Sequence, residues 1–106
     1  LRDVEIVFLE KDGKTAALIG DLGTMDTVKG NAAIRKGTHD VRIVTSDGYL
    51  MTTSSLFWKA GERVVRTPDH FKVVGKEIYF EGTGLDADVD MQQLAVGNNV
   101  KAILQE

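Results

Sequence analysis

Three groups of residues in this chain are of types that do chemistry. Asp86, Asp88 and Asp90 stand at alternate positions, like the opening of a calcium-binding loop. Such a loop needs glycine at its sixth position and glutamate at its twelfth. The chain has Met91 and Gly97 there. The aspartates read instead as the wet face of a strand whose dry face is Leu85, Ala87 and Val89, because successive strand side chains point to opposite sides. His39 and His70 each sit beside an aspartate, Asp40 and Asp69. A hydrolytic triad would take Ser54 or Ser55 as nucleophile, but no nucleophile elbow surrounds either serine. The histidines therefore read as exposed turn residues, and no catalysis is expected. Gly82-Thr83-Gly84 is a phosphate-cradle fragment without the third glycine or the following helix. It reads as a pair of structural glycines that bend a strand. No metal and no cofactor are expected, and the absence of cysteine removes disulfides and thiolate ligands.

The elements that carry these residues read as strands. The 106 residues suffice for one domain, spanning 1–106, and eleven glycines with one proline punctuate short alternating segments. Val4, Ile6 and Phe8 alternate with Asp3, Glu5 and Val7. Asp12-Gly13 and Asp47-Gly48 are hairpin-turn pairs, since both residue types tolerate positive φ. Ala16, Leu18 and Gly20 share one face, and the Met25–Val28 segment reads as edge strand or loop. Val41, Ile43 and Thr45 share another. Leu50, Thr52, Leu56 and Trp58 fall on one parity, with Phe57 on the other. Pro68 best suits a strand end, since it cannot donate to a ladder. Phe71 and Val73 follow. Ile78, Phe80, Gly82 and Gly84 have even parity, whereas Leu85, Ala87, Val89 and Met91 have odd parity. A parity switch at glycine marks a bulge. The last segment alternates through Leu94, Val96, Val100, Ala102 and Leu104. Gly13, Gly48 and Gly84 recur at similar intervals, a faint sign of stacked strand–turn units.

A net charge of −3 and a pI near 5.3 disfavour a nucleic-acid partner, whose phosphates call for a basic face. No apolar run reaches the roughly 18 residues of a membrane helix. What remains informative is the apolar strand faces, on which small residues are mixed with large ones. Two such faces either interdigitate into a dry sandwich or leave a groove for acyl chains. Each methylene buried in a groove contributes about 0.8 kcal/mol.

Three stretches carry a family resemblance: Asp47-Gly48-Tyr49-Leu50-Met51-Thr52, then Leu56-Phe57-Trp58 with Val65-Arg66-Thr67-Pro68, and later Gly82-Thr83-Gly84-Leu85-Asp86-Ala87-Asp88. In this order they resemble the lipopolysaccharide-export family LptC and its OstA-like relatives. Asp3-Val4-Glu5-Ile6 and Leu18-Ile19-Gly20-Asp21-Leu22-Gly23 look like its first strands, with Gly20 and Gly23 where the family has alanines, a change expected to loosen them. The resemblance implies an all-β fold, an open twisted β-jellyroll (β-taco) of two antiparallel sheets with acyl chains between them. It implies a Gram-negative periplasmic protein in outer-membrane biogenesis, tethered to the inner membrane by a segment outside this chain. It implies relay of lipopolysaccharide from an ABC transporter to a periplasmic bridge protein of the same fold. On resemblance and parity together, Ile6, Leu18, Ile43, Leu50, Thr52, Leu56, Phe71, Val73, Ile78, Phe80 and Leu85 are expected to line the groove. The Val96–Leu104 strand, with Val96, Val100, Ala102 and Leu104, is expected to dock the bridge protein, the opposite end to meet the transporter, and edge-to-edge pairing between copies is a further expectation. The competing reading is a scaffolding β-module with a filled core and no lipid.

Overall fold

The structure, a computed structural model, describes residues 2–9, 12–89 and 93–105. Nine strands follow in chain order: β1 (Arg2–Leu9), β2 (Thr15–Met25), β3 (Ala32–Arg35), β4 (Val41–Thr45), β5 (Leu50–Thr53), β6 (Ser55–Lys59), β7 (Val64–Val74), β8 (Ile78–Asp88) and β9 (Leu94–Leu104). Alternation explains the clearest of them, since β4 reads buried at Val41, Ile43 and Thr45 and open between. Asp12-Gly13 and Asp47-Gly48 do form hairpin turns, with φ of 86° at Gly13 and 100° at Gly48. The Met25–Val28 segment divides: β2 runs through Met25, and a turn held by Asp26 follows.

All pairings are antiparallel. β1 lies along one edge of β2, so the other edge of β2 is shared. Its first half pairs with β4 (Leu18 opposite Ile43) and its second half with β3 (Gly23 opposite Ile34). β7 is used the same way, with β8 on one edge and β6 and β5 in succession on the other. β4 pairs with β5, and β3 with β6. The pairings thus close a ring of six strands, β2-β3-β6-β7-β5-β4, to which β1, β8 and β9 are added. The gap inside the ring is narrow. It separates the 36–40 loop from Ser54, and the Lys36 amide spans it, donating to the Ser54 carbonyl at 2.9 Å.

This arrangement is one sheet creased across its strands rather than two separate sheets. The crease crosses β2 between Gly20 and Gly23, passes through Ser54, and follows a register shift at Thr67–His70 in β7. It continues through Gly84 of β8, whose φ is 80°, and a second shift in β9, where Asn99 takes φ 55°. The buried parity of β8 switches there from Gly82 to Leu85, as its sequence implies, and the extra residues of the bulges sit on β7 and β9 beside it. Gly84 is therefore inside a strand, unlike Gly13 and Gly48 in their turns. Pro68 also differs from expectation, lying within β7 rather than at its end. The bulge and the change of partner from β6 to β5 leave its missing N–H without a ladder position to fill.

The two halves turn their apolar sides toward each other. Phe8, on the β2–β4 half, meets Trp58 of β6, on the other half, with ring centroids 4.4 Å apart. Between the halves lie Leu18, Ile34, Ile43, Met51, Leu56, Val65, Phe71 and Val73, all essentially inaccessible. Leu50 and Thr52 depart from expectation: Met51 and Thr53 point inward instead, and Leu50 is on the outer face. Parity resets at the Ser54 bend, so a single frame cannot serve both Leu50 and Leu56. Gly20 and Gly23 do not loosen β2 either. Ile34 packs against both, filling the space where a Cβ would sit.

Candidate functional site

The groups singled out for catalysis do not assemble. The Ser55 hydroxyl donates to Asp69 at 2.5 Å. His70 pairs with Glu81 across β7 and β8 at 3.0 Å, and His39 lies 3.4 Å from Asp21. Each histidine thus finds an acid other than its sequence neighbour, and no serine hydroxyl reaches either ring among the described contacts. The carboxylate of Asp21 also accepts the His39 backbone N–H at 2.7 Å, which chiefly holds its pKa below the ordinary aspartate value. Asp86 pairs with Arg66 at 2.8 Å, and Arg66 also reaches Glu62. Asp90 lies outside the described residues. Among the described residues no three acidic, histidine or cysteine side chains converge on a metal position.

The apolar interior is the larger feature. Residues that oppose one another on paired strands point to the same side, so the inner face can be traced strand by strand. Its central part is closed by the chain's own side chains. Six of the expected groove residues, Leu18, Ile43, Leu56, Phe71, Val73 and Leu85, are core here, each at most 4 % exposed. Of these only Leu85 borders one of the described pockets. Toward β8 and β9 the same face comes into the open. Phe80 opposes inward-facing Val73, and its ring meets Phe71 edge-on at 6.2 Å, yet it is only half-buried. Ala102 opposes Phe80, and Leu104 opposes Ile78; both β9 residues are exposed, Leu104 at 68 %. Val96 and Leu94 oppose buried Leu85 and Ala87 and remain partly open. On the far side Val4 and Ile6 of β1 are likewise half-buried, but Phe8 and Trp58 cap the interior beside them.

Two of the described pockets adjoin the β8–β9 end at apolar side chains. One of about 560 Å³ gathers Tyr49, Ile78 and Leu104 with Asp47, Lys76, Glu77 and Gln105 around it. The other, about 450 Å³, follows the crease past Pro68, Gly84, Leu85, Val96 and Gly97. Ile78 and Leu104 were within reach of sequence reasoning through parity. The contribution of Tyr49 was not, because its approach depends on the Asp47-Gly48 turn folding back toward Lys76.

The sheet also ends in two edge strands. Among the described residues β1 pairs only with β2 and β9 only with β8. Each leaves a row of backbone donors and acceptors along one edge. Val7 and Leu9 on β1, and Val100 and Ile103 on β9, are exposed beside those rows. Val96, Val100, Ala102 and Leu104 all lie on β9, as expected of an edge strand, with Val100 at the register shift. No protein-family model matches the chain, and no curated protein is similar to it in sequence.

Proposed function

We propose that this chain is a lipid-handling domain of the LptC type, which shields acyl chains of lipopolysaccharide and passes them to a neighbouring domain of like fold. The observation that carries the reading is the course of the inner face. It is mostly apolar, with Thr45, Thr53 and Thr67 its buried polar side chains; it is closed from β2 to β7 and comes into the open at the Ile78–Phe80 end of β8 and on β9, where the sheet edge is free. In this reading the creased sheet is an open jellyroll whose usable groove is its β8–β9 end. Ile78, Phe80, Val96, Ala102 and Leu104 are the acyl contacts, and the polar residues around Tyr49 face the headgroup. The central core residues keep the halves together. No bond is made or broken; energy comes from an inner-membrane ABC transporter.

Unpaired edges are a liability in isolated proteins and a docking device in assemblies. In the proposed relay, β9 adds to the periplasmic bridge protein, and β1 faces the transporter side. The domain works in the periplasm, held at the inner membrane through a segment outside this chain. The test is photo-crosslinking to lipopolysaccharide at Phe80 and Leu104, with Leu50 on the outer face as control. Lipid capture at the first two and not at Leu50 is expected; equal capture at all three, or none with the fold intact, overturns the reading. Removal of residues 100–106 is expected to abolish capture of the bridge protein.

The filled centre favours a second reading, a scaffolding β-module that joins proteins through its edges without lipid. It predicts bridge-protein capture that survives and lipid crosslinks that never form.

A further inference from the structure

The chain holds two Asp-Gly pairs, Asp12-Gly13 and Asp47-Gly48, each at a hairpin tip. Asp-Gly is the dipeptide in which a main-chain amide can most readily reach the preceding carboxyl, because glycine offers no side chain to obstruct it. The fold treats the two pairs differently. Asp47 is half-buried, and its carboxylate receives the Thr45 hydroxyl at 2.6 Å, which draws it back toward the preceding strand. The nitrogen that would attack it is engaged as well, since the Gly48 amide donates to the Thr45 carbonyl at 3.1 Å. The same Thr45 hydroxyl also accepts the Tyr49 amide at 2.9 Å, tying both sides of the turn to one atom.

At the first pair the carboxylate leans the other way. Asp12 Oδ1 accepts the Lys14 amide at 3.1 Å, so the carboxyl folds forward across the Gly13 peptide, with the Lys14 ammonium 3.8 Å from its second oxygen. Its side chain is 58 % exposed, and a Cβ at Gly13 would meet nothing within 4 Å. Among the described residues nothing holds the Gly13 amide.

We propose that Asp12 is a self-modification site, at which the backbone rearranges to isoaspartate while Asp47 is protected. The Gly13 nitrogen attacks Cγ of the protonated Asp12 carboxyl; the N–Cγ bond forms, and the amide proton and carboxyl hydroxyl leave together as water. The resulting succinimide takes up water at either carbonyl. One product is the original aspartate. The other carries the main chain through Cβ, with one more backbone carbon in the hairpin. Because among the described residues β1 pairs only with β2, the lengthened tip disturbs the Leu9–Thr15 end of that pairing and loosens the β1 edge.

The experiment is ageing of the intact protein at neutral pH and physiological temperature. Peptide mapping and enzymatic methylation with an isoaspartyl methyltransferase then report each site. In the native protein Asp12 is expected to react about tenfold faster than Asp47, the factor set by releasing the Gly48 amide from the Thr45 carbonyl, a bond with no counterpart at Gly13 among the described residues. In concentrated guanidinium chloride the two sites are expected to react at comparable rates, because both are Asp-Gly pairs and the folded-state contacts that separate them are gone. Thr45→Val, confirmed folded by circular dichroism, should raise the Asp47 rate. Equal native rates, a faster Asp47, or no isoaspartate at Asp12 overturns the proposal. Asp12→Glu should remove the label from the first hairpin.

Discussion

Gly20 provides a test in which two physical effects oppose each other and the structure says which wins. It lies on β2 at the crease, in ordinary extended backbone, so alanine has no conformational penalty there. Stiffening the unfolded chain alone would make Gly20→Ala stabilising by about 0.4–1 kcal/mol. The new methyl, however, would overlap Cγ2 of Ile34 far inside contact distance. Ile34 is 1 % exposed and β-branched, so its rotamer has little room to change. Overpacking of this kind costs about 1–3 kcal/mol, which outweighs the entropic gain and leaves a net loss of about 1–2 kcal/mol. Ile34→Ala alone should cost about 2–5 kcal/mol through lost burial and the cavity it leaves. In that second background the sign should reverse. The neighbours that remain near the new methyl are the residue-34 Cβ at 3.6 Å and Val41 Cγ2 at 3.7 Å, both ordinary contacts. Gly20→Ala should then stabilise by up to about 1 kcal/mol, giving a coupling near 2 kcal/mol. Urea unfolding of the four proteins, followed by Trp58 fluorescence and circular dichroism, reads all terms. Gly20→Ala that stabilises the parent, or that costs the same in both backgrounds, would refute the close packing of β2 on Ile34.

Four other outcomes follow from the same structure. Phe71→Ala, which removes a fully buried ring and its edge contact with Phe80, should cost about 3–5 kcal/mol in denaturant unfolding. Pro68→Ala, at an exposed bulge position with no ladder bond to restore, should change stability by less than about 0.5 kcal/mol. Asp21 has a folded-state pKa below its ordinary value. The stability this confers is present above the unfolded aspartate value and lost as pH falls through the folded one. Asp21→Asn should therefore lower stability at neutral pH and flatten the acid limb of a stability–pH curve. Leu104→Asp, on the exposed inner face of β9, should leave the unfolding midpoint nearly unchanged while removing lipopolysaccharide crosslinking at Phe80.

What the amino-acid sequence determined by itself is the class of structure and most of its local frames. Alternation placed Ala16 with Leu18, Val41 with Ile43, and Phe71 with Val73 on the dry side, and all six are buried. The two Asp-Gly pairs marked hairpins because positive φ is a property of those residues in any context. The switch from Gly82 to Leu85 was legible because glycine and the apolar pattern change together. Other features had no local signature. The outward turn of Leu50 depends on a bend at Ser54, and serine is equally at home in a straight strand. The place of Pro68 inside β7 depends on two partner strands, β6 and β5, that succeed one another along its edge.

The tertiary structure alone decided whether the apolar interior is filled or open. A strand's pattern states which side chains face inward. It does not state how far the opposite face stands away, since that distance follows from the crease aligning across every strand. Leu18 and Leu104 are the same residue type on the same inner face, yet one is inaccessible and the other stands 68 % exposed. The difference comes from the number of neighbouring strands that cover each, a quantity that exists only once the sheet has folded over itself.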